Sequence, residues 1–96
     1  MVENLSTFIV TYTYVSEMER RRSEHRQDHL AWLHEMSTAG RMILAGAALD
    51  PVDTAVLVIR GVDAHDVRQI LLGDPYARAN LIVATSIRPF GLAIGG

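Results

Sequence analysis

Two strand-like segments follow each other without an intervening helix in residues 41–60, RMILAGAALDPVDTAVLVIR. Residues 41–46 and 54–60 are rich in the aliphatic and β-branched side chains that favour strands. The Asp50–Pro51 pair between them is typical of a turn. This stretch therefore predicts two consecutive strands, and the segments on either side decide which fold contains them.

The flanking segments predict two further strands and two helices. The strands are expected at residues 8–15 and about 81–87, and the helices at about 16–39 and 63–73. Ser16 and Glu19 have the spacing of a capping box at the start of the first helix, and Gly40 is the expected stop. The order β-α-β-β-α-β predicts an α+β, ferredoxin-like fold, a four-stranded antiparallel sheet with both helices on one face.

The second face of this sheet is expected to need a cover of its own. Residues 55–59 and 81–84 are continuously apolar, whereas a strand with one face in water alternates between apolar and polar residues. Two helices cover only one face. We therefore expect a homodimer in which a second copy packs sheet to sheet, through an apolar and large interface.

Composition narrows the class of protein. The 96 residues are 49% hydrophobic and 21% charged, too apolar for a disordered chain, so we expect one domain over residues 1–96. The formal net charge of −2 argues against a nucleic-acid partner. Cysteine is absent, which excludes disulfides and thiolate metal sites. No membrane-spanning run and no signal-peptide pattern occurs, so no membrane association and a cytoplasmic location are expected.

One face of the first helix combines arginine and histidine with apolar residues. A helical wheel groups Arg22, His29, Leu33 and Met36, with His25 and Arg26 at the edges of the sector. In one interpretation the arginines extend to solvent and His29 is a hydrogen-bonded core histidine. In the other, a polar pocket lies between helix and sheet, and its histidine transfers protons near neutral pH.

Asp74, in Gly73-Asp74-Pro75-Tyr76, is the candidate carboxylate for such a pocket. It is either a turn-forming residue or the partner that orients His29, and the spacing alone does not decide between them. His25 and His29 are four residues apart, but without cysteine or an H-E-x-x-H pattern we expect no metal site. No motif for a cofactor is found, and none is expected.

These residues together resemble the YCII-related proteins of bacteria. The similarity rests on Arg22-x3-Arg26-x2-His29-Leu30, Gly40-Arg41, Leu44-Ala45-Gly46, Asp74-Pro75-Tyr76 and Arg88-Pro89-Phe90. The resemblance implies a ferredoxin-like α+β barrel, dimeric sheet to sheet and related to the muconolactone isomerase group. It also implies a His–Asp pair as the active site, carried here by His29 and Asp74. The family usually has proline where this chain has Ala47, and its loop before the third strand is longer.

Three functions remain open at this point. The first is an enzyme that performs elimination or isomerisation on a small oxygenated substrate, for example an aromatic one. His29 would be its general acid/base, Asp74 the orienting partner, and Arg22 or Arg26 the contacts to a substrate anion. The second is a module that binds a metabolite without turning it over. The third is a structural homodimer whose polar face only orients helix on sheet.

Overall fold

The computed structural model of the protein describes residues 4–95. This part of the chain contains four strands and four helices, in the order β1 (Ser6–Tyr14), α1 (Met18–Arg21), α2 (Arg26–Thr38), β2 (Met42–Ala47), β3 (Thr54–Gly61), α3 (Ala64–Leu71), α4 (Pro75–Arg78) and β4 (Ile82–Pro89). The strands form one antiparallel sheet in the order β2-β3-β1-β4. This is the predicted ferredoxin-like arrangement, and the fold class is confirmed. Within the described residues no helix has the length and apolar composition needed to cross a membrane.

The core lies between the sheet and the two longer helices. Alternate residues of β1 (Phe8, Val10, Tyr12 and Tyr14) and of β3 (Ala55, Leu57 and Ile59) are buried on the helix-covered face. Trp32 of α2 and the pair Val67 and Leu71 of α3 pack against them from above. Both long helices therefore cover the same face of the sheet, as the element order predicts.

The first predicted helix is interrupted, and the predicted capping box is wrong. Glu17 has a left-handed backbone conformation with φ 58° and precedes α1 without any side-chain cap. α1 ends after four residues, and α2 begins at Arg26. The physical reason is tertiary: Met18 is fully buried, so packing of its side chain fixes the path of the chain there. The helix propensity of the local sequence and a capping box are weak determinants of structure compared with the packing of a buried side chain.

Other helix ends follow the sequence signals. Gly40 has φ 77°, and the Arg41 N–H donates to the Met36 carbonyl over 2.9 Å, the pattern of a glycine stop after a helix. Asp63 caps α3 by accepting a hydrogen bond from the Asp66 N–H. The strands differ by only one or two residues from the prediction at most ends. The short helix α4 was not predicted.

The helix-free face of the sheet has an aliphatic centre and polar surroundings. Ile9 pairs with Val58, Leu44 pairs with Val58, and Val56 pairs with Thr11 across the strands. Val58 is 2% exposed, whereas Val56 is 38% and Leu44 is 49% exposed. The apolar residues 81–84 do not all belong to this face, because Leu81 is part of the core. The homodimer therefore stays a prediction.

Candidate active site

A cavity of about 220 Å³ opens between α2 and the strands β2 and β3. Its floor consists of small residues, because Ala45, Gly46 and Ala47 of β2 lie beside Ala55 of β3. Among the residues of these two strands that line the cavity, Leu57 alone has a large side chain. A cavity of about 150 Å³ already accommodates benzene. The space therefore suffices for a substituted aromatic ring.

The walls of the cavity come from elements far apart in sequence. They comprise the apolar Leu30, Leu33, Leu49 and Leu57, the aromatic Tyr14 and Tyr76, and the polar Arg22, Arg26 and His29. The predicted polar face of the first helix therefore lines a cavity, although its residues belong to α2 and the turn before it. His25 does not line this cavity but a separate surface depression next to Arg20 and Arg21. Met36 packs against the core instead.

His29 and Asp74 are in direct contact. His29 Nδ1 lies 2.7 Å from Asp74 Oδ1, and both side chains are buried. Asp74 is fully enclosed, with 0% exposure, and its carboxylate accepts two further hydrogen bonds, from the Tyr12 hydroxyl at 2.9 Å and the Tyr76 N–H at 2.9 Å. A buried carboxylate needs such donors, and Asp74 has them from three different elements.

The local backbone explains why Asp74 lies in this position. Asp74 is the residue before α4, in extended conformation, and its side chain caps that helix while Pro75 occupies the first helical position. Proline is favoured there because it lacks the N–H that has no partner at a helix start. Asp74 thus lies at a helix start, as a turn-forming residue does, and it also contacts His29. One carboxylate caps α4 and holds the histidine.

The His29 ring is fixed on several sides. It stacks on Tyr76 with ring centroids 3.7 Å apart and planes 7° apart, and Trp32 lies 6.1 Å away. An ionised Asp74 carboxylate only accepts hydrogen bonds, so beside it Nδ1 carries the proton. Nε2 lies on the opposite side of the ring and has no hydrogen-bond partner within residues 4–95. Nε2 is therefore the atom that can meet a molecule in the cavity.

Two buried tyrosines surround the pair. Burial, followed by the charge and hydrogen bond of Asp74, raises the pKa of Tyr12 well above its usual range. Burial also raises the pKa of Tyr14, with contributions from Asp74 and Tyr76, while Arg22 and Arg26 oppose the rise. Both hydroxyls are therefore neutral hydrogen-bond donors at physiological pH. Both arginines line the same cavity as Tyr14.

The two arginines bring positive charge to the cavity. Arg22 is half-buried and Arg26 is exposed, and neither forms a salt bridge within the part of the chain that the structure describes. Both arginines line the same cavity as His29, and their role as substrate contacts stays a prediction. No group of three or more histidine, aspartate or glutamate side chains suited to a metal ion occurs among residues 4–95.

The tyrosines are the site residues that the sequence analysis missed. The sequence pattern predicts a strand for Tyr12 and Tyr14 and a turn for Tyr76, and it predicts no role in the site for them. A signal was available in the spacing of two between Tyr12 and Tyr14, which directs both to one face of β1. The Asp–Pro pair before Tyr76 likewise has the pattern of a helix start.

Solved structures of similar fold include enzymes. The 5-chloro-2-hydroxyhydroquinone dehydrochlorinase of Burkholderia phenoliruptrix, solved with 2,5-dihydroxybenzoquinone, matches with a TM-score of 0.78 at 17% identity over 88% of this chain and 93% of that chain. The Pseudomonas aeruginosa protein PA3566 matches with a TM-score of 0.59 at 14% identity over 97% of this chain and 99% of that chain. A variant of SnoaB, a cofactor-independent oxygenase of Streptomyces nogalater, matches with a TM-score of 0.51 at 14% identity over 95% of each chain. At these identities the likeness supports the fold alone.

Relationship by sequence is visible at the level of the family. A search of curated proteins found no match. The family model of the YCII-related domain, in contrast, matches residues 7–91, nearly the whole chain. The matched segment includes both members of the His29–Asp74 pair and every residue that lines the cavity. The chain therefore belongs to the YCII-related family.

Proposed function

We propose that this protein is a small-molecule enzyme in which His29 transfers a proton to and from a bound substrate. The observation that carries the proposal is the 2.7 Å contact between His29 Nδ1 and a carboxylate that is itself held by Tyr12 and Tyr76. A histidine that serves only packing does not need to lie on a cavity wall with its second nitrogen free of protein partners. A general acid/base does, because it must reach the proton that it moves.

The chemistry follows from the proton on Nδ1. The lone pair of Nε2 accepts a proton from a substrate carbon or oxygen, and the resulting imidazolium is stabilised by the negative charge of Asp74. In an elimination, the electron pair of the broken C–H bond forms a double bond and expels a leaving group from the adjacent carbon. In an isomerisation, the proton returns from Nε2 to a different carbon. Both reactions balance without an oxidant or reductant.

The charges of the cavity favour an anionic or oxygen-rich substrate. Arg22 and Arg26 offer guanidinium groups that bind carboxylate, phenolate or enolate oxygens, often through two hydrogen bonds. Positive charge next to the reacting group also stabilises the negative charge that develops when a carbon loses its proton. The cavity volume and its leucine walls suit a ring of aromatic size. The dehydrochlorinase of similar fold, solved with a dihydroxybenzoquinone, makes hydroxylated aromatics a sensible first class to test.

A substrate panel with histidine variants tests the proposal. The panel contains hydroxylated aromatics, lactones and short hydroxy acids, with turnover followed by chromatography and binding by the shift in melting temperature. We expect turnover of at least one compound, and a loss of about 10²–10⁴-fold in His29→Gln, which keeps a hydrogen-bond donor near Asp74. His34→Gln is the matched control, because His34 is exposed on the same helix, and its turnover should equal that of the wild type.

The alternatives are separated by the same experiment. Binding without turnover, unchanged by His29→Gln, would favour a metabolite-binding module. Neither binding nor turnover across the panel would favour a structural protein and contradict the proposed enzyme. The single domain over residues 1–96 and the cytoplasmic location stay predictions that this experiment does not address.

We also propose that the protein is a homodimer through the helix-free face of its sheet. Support comes from the partly exposed Val56 and Leu44, which adjoin Ile9 and the buried Val58. Light scattering should give twice the chain mass at micromolar concentration for the wild type and the mass of one chain for Val56→Glu. Leu72→Glu, on an exposed leucine after α3, should remain dimeric. A folded wild-type monomer would contradict this proposal.

A further inference from the structure

The Tyr12 hydroxyl is the single hydrogen-bond partner of Asp74 Oδ2 within residues 4–95, and it donates over 2.9 Å. The two other hydrogen bonds of the carboxylate, from His29 Nδ1 and the Tyr76 N–H, both end on Oδ1. Tyr12 is 1% exposed and Asp74 is fully enclosed, so water from the surface does not replace this bond. One oxygen of the carboxylate therefore depends on a single tyrosine hydroxyl.

Burial alone does not explain the Tyr12 bond. Tyr76 is equally buried, and its hydroxyl has no hydrogen-bond partner in the part of the chain that the structure describes. The fold thus tolerates an unpaired tyrosine hydroxyl on a ring that stacks on His29. Tyr12, in contrast, directs its hydroxyl at the carboxylate that contacts this histidine. Burial and the charge of Asp74 raise the pKa of Tyr12, so its hydroxyl keeps the proton that it donates.

Tyr12 does not belong to the wall of the cavity. Tyr14, His29 and Tyr76 line the cavity, but Tyr12 is not among the lining residues. Any influence of Tyr12 on a bound molecule therefore passes through Asp74 and His29. The contacts connect the Tyr12 hydroxyl to Oδ2 and connect Oδ1 to Nδ1 of the imidazole, whose other nitrogen is Nε2.

We propose that Tyr12 is a positioning residue that keeps the Asp74 carboxylate aligned with His29 Nδ1. The inference rests on the proposed function, because it assigns Tyr12 to the reaction that His29 performs. Without the hydroxyl, the buried Oδ2 has no partner, and it gains one only if the carboxyl group turns or takes up a proton. Both changes remove the fixed acceptor of the Nδ1 proton. That proton then moves in part to Nε2, the nitrogen that a general base must keep unprotonated.

Nitrogen-15 NMR of histidine-labelled Tyr12→Phe tests the positioning without any substrate. At pH 8 we expect His29 of the wild type to be protonated at Nδ1 alone. Tyr12→Phe should show a second population with the proton on Nε2, because the hydrogen bond of one ring nitrogen decides which nitrogen is protonated. Val67→Ala is the control, because Val67 is fully buried in α3 and does not line the cavity. It should lower the melting temperature and leave the His29 tautomer unchanged.

Kinetics test the consequence for the reaction, with the compound of the panel that the wild type turns over fastest. Tyr12→Phe should lower kcat about 10- to 100-fold and leave KM unchanged, because Tyr12 acts through Asp74 and does not line the cavity. In the Asp74→Asn background, the same substitution should change kcat by less than about twofold, since the carboxylate that it acts through is absent. Val67→Ala should keep the kcat of the wild type.

The contrary results are distinct. The same His29 tautomer in the wild type and in Tyr12→Phe would overturn the inference. Equal losses of kcat in the wild-type and Asp74→Asn backgrounds would overturn it as well, because they would indicate a general structural role. No turnover by the wild type, together with the expected NMR difference, would contradict the proposed function but support the positioning of His29 by Tyr12.

A second variant guards against misfolding of Tyr12→Phe. Replacement of Tyr12 by 4-fluorophenylalanine fills the volume of the hydroxyl with an atom that donates no hydrogen bond. We expect the same tautomer change and the same loss of kcat as for Tyr12→Phe. Failure of both variants to fold would show that the hydroxyl is needed for the fold itself, and it would overturn the inference.

Discussion

Replacement of Asp74 is expected to separate its structural role from its chemical role. Asp74→Ala leaves three buried donors without an acceptor: His29 Nδ1–H, the Tyr12 hydroxyl and the Tyr76 N–H. Breaking a buried charged pair by removal of one partner costs about 3–5 kcal/mol. Domains of this size are stable by about 5–15 kcal/mol, and 1 kcal/mol corresponds to roughly 4–8 °C. We therefore expect the melting temperature of Asp74→Ala to fall by about 12 °C or more.

Asp74→Asn should cost much less stability. An asparagine oxygen in place of Oδ1 still accepts from His29 and Tyr76, and the amide NH₂ can donate to the Tyr12 hydroxyl, which rotates to accept. The hydrogen bonds to residue 74 weaken to about half their strength, because the acceptor is no longer charged. Removal of the buried carboxylate charge offsets part of this loss. We expect a loss of less than about 2 kcal/mol. Turnover should nevertheless fall by about 10²-fold or more, because a neutral amide does not stabilise the imidazolium.

The stability of both variants can be measured by urea unfolding, with tryptophan fluorescence as the signal. Trp32 is the single tryptophan, is buried, and lies 6.1 Å from the His29 ring, so its emission reports on the site itself. Asp53→Asn, on an exposed aspartate, is the control and should change stability by no more than about 0.5 kcal/mol. Equal and small losses for Asp74→Ala and Asp74→Asn would refute the assignment of Asp74 as the common acceptor.

Three further outcomes follow from the structure. The pKa values of Tyr12 and Tyr14 are raised in the folded protein, so the stability that these tyrosines contribute is fully present below about pH 10 and is lost above it. The loss is up to about 1.4 kcal/mol per pH unit for each tyrosine. The free energy of unfolding, measured in urea between pH 8 and pH 11, should therefore fall at the alkaline end, and a constant value would contradict this prediction. Gly61→Ala should lower the free energy of unfolding by about 1–3 kcal/mol, because the added Cβ would lie 2.7 Å from Val67 Cγ2. Thermal melts of the variant test this, and an unchanged melting temperature would contradict it. Ala47→Leu should fold normally but fill the cavity and abolish binding of the panel compounds, and an unchanged thermal shift would place the ligand elsewhere.

The fold could be predicted from the sequence because its signals are local. Runs of aliphatic and β-branched residues mark the strands, and helical periodicity marks α3. Gly40 and Asp63 mark helix ends through contacts within a few residues. The break before α2 could not be predicted, because it follows from burial of Met18 by residues distant in sequence. Where local and tertiary signals disagree, burial decides.

The site likewise has features that the sequence identified and features that it did not. The helical pattern identified His29 together with Arg26, because both lie in α2 and a helix fixes which residues face together. Arg22 precedes α2, and it lines the same cavity from the turn. The contact of His29 with Asp74 spans 45 positions and that of Tyr12 with Asp74 spans 62. The residues alone left the first contact as one of two interpretations of Asp74, the family resemblance implied it, and nothing pointed to the second. The unpaired hydroxyl of Tyr76 is a property of the packed interior and has no trace in the sequence.

The central claim is that His29 presents an unprotonated Nε2 to the cavity while Nδ1–H is held by Asp74. Nitrogen-15 NMR of histidine-labelled protein tests it directly, because the chemical shifts and ring-proton couplings of Nδ1 and Nε2 identify the tautomer without any substrate. At pH 8 the account predicts a protonated Nδ1 and an unprotonated Nε2 for His29, with the exposed His34 as internal reference. A His29 ring protonated at Nε2 and bare at Nδ1 would contradict it.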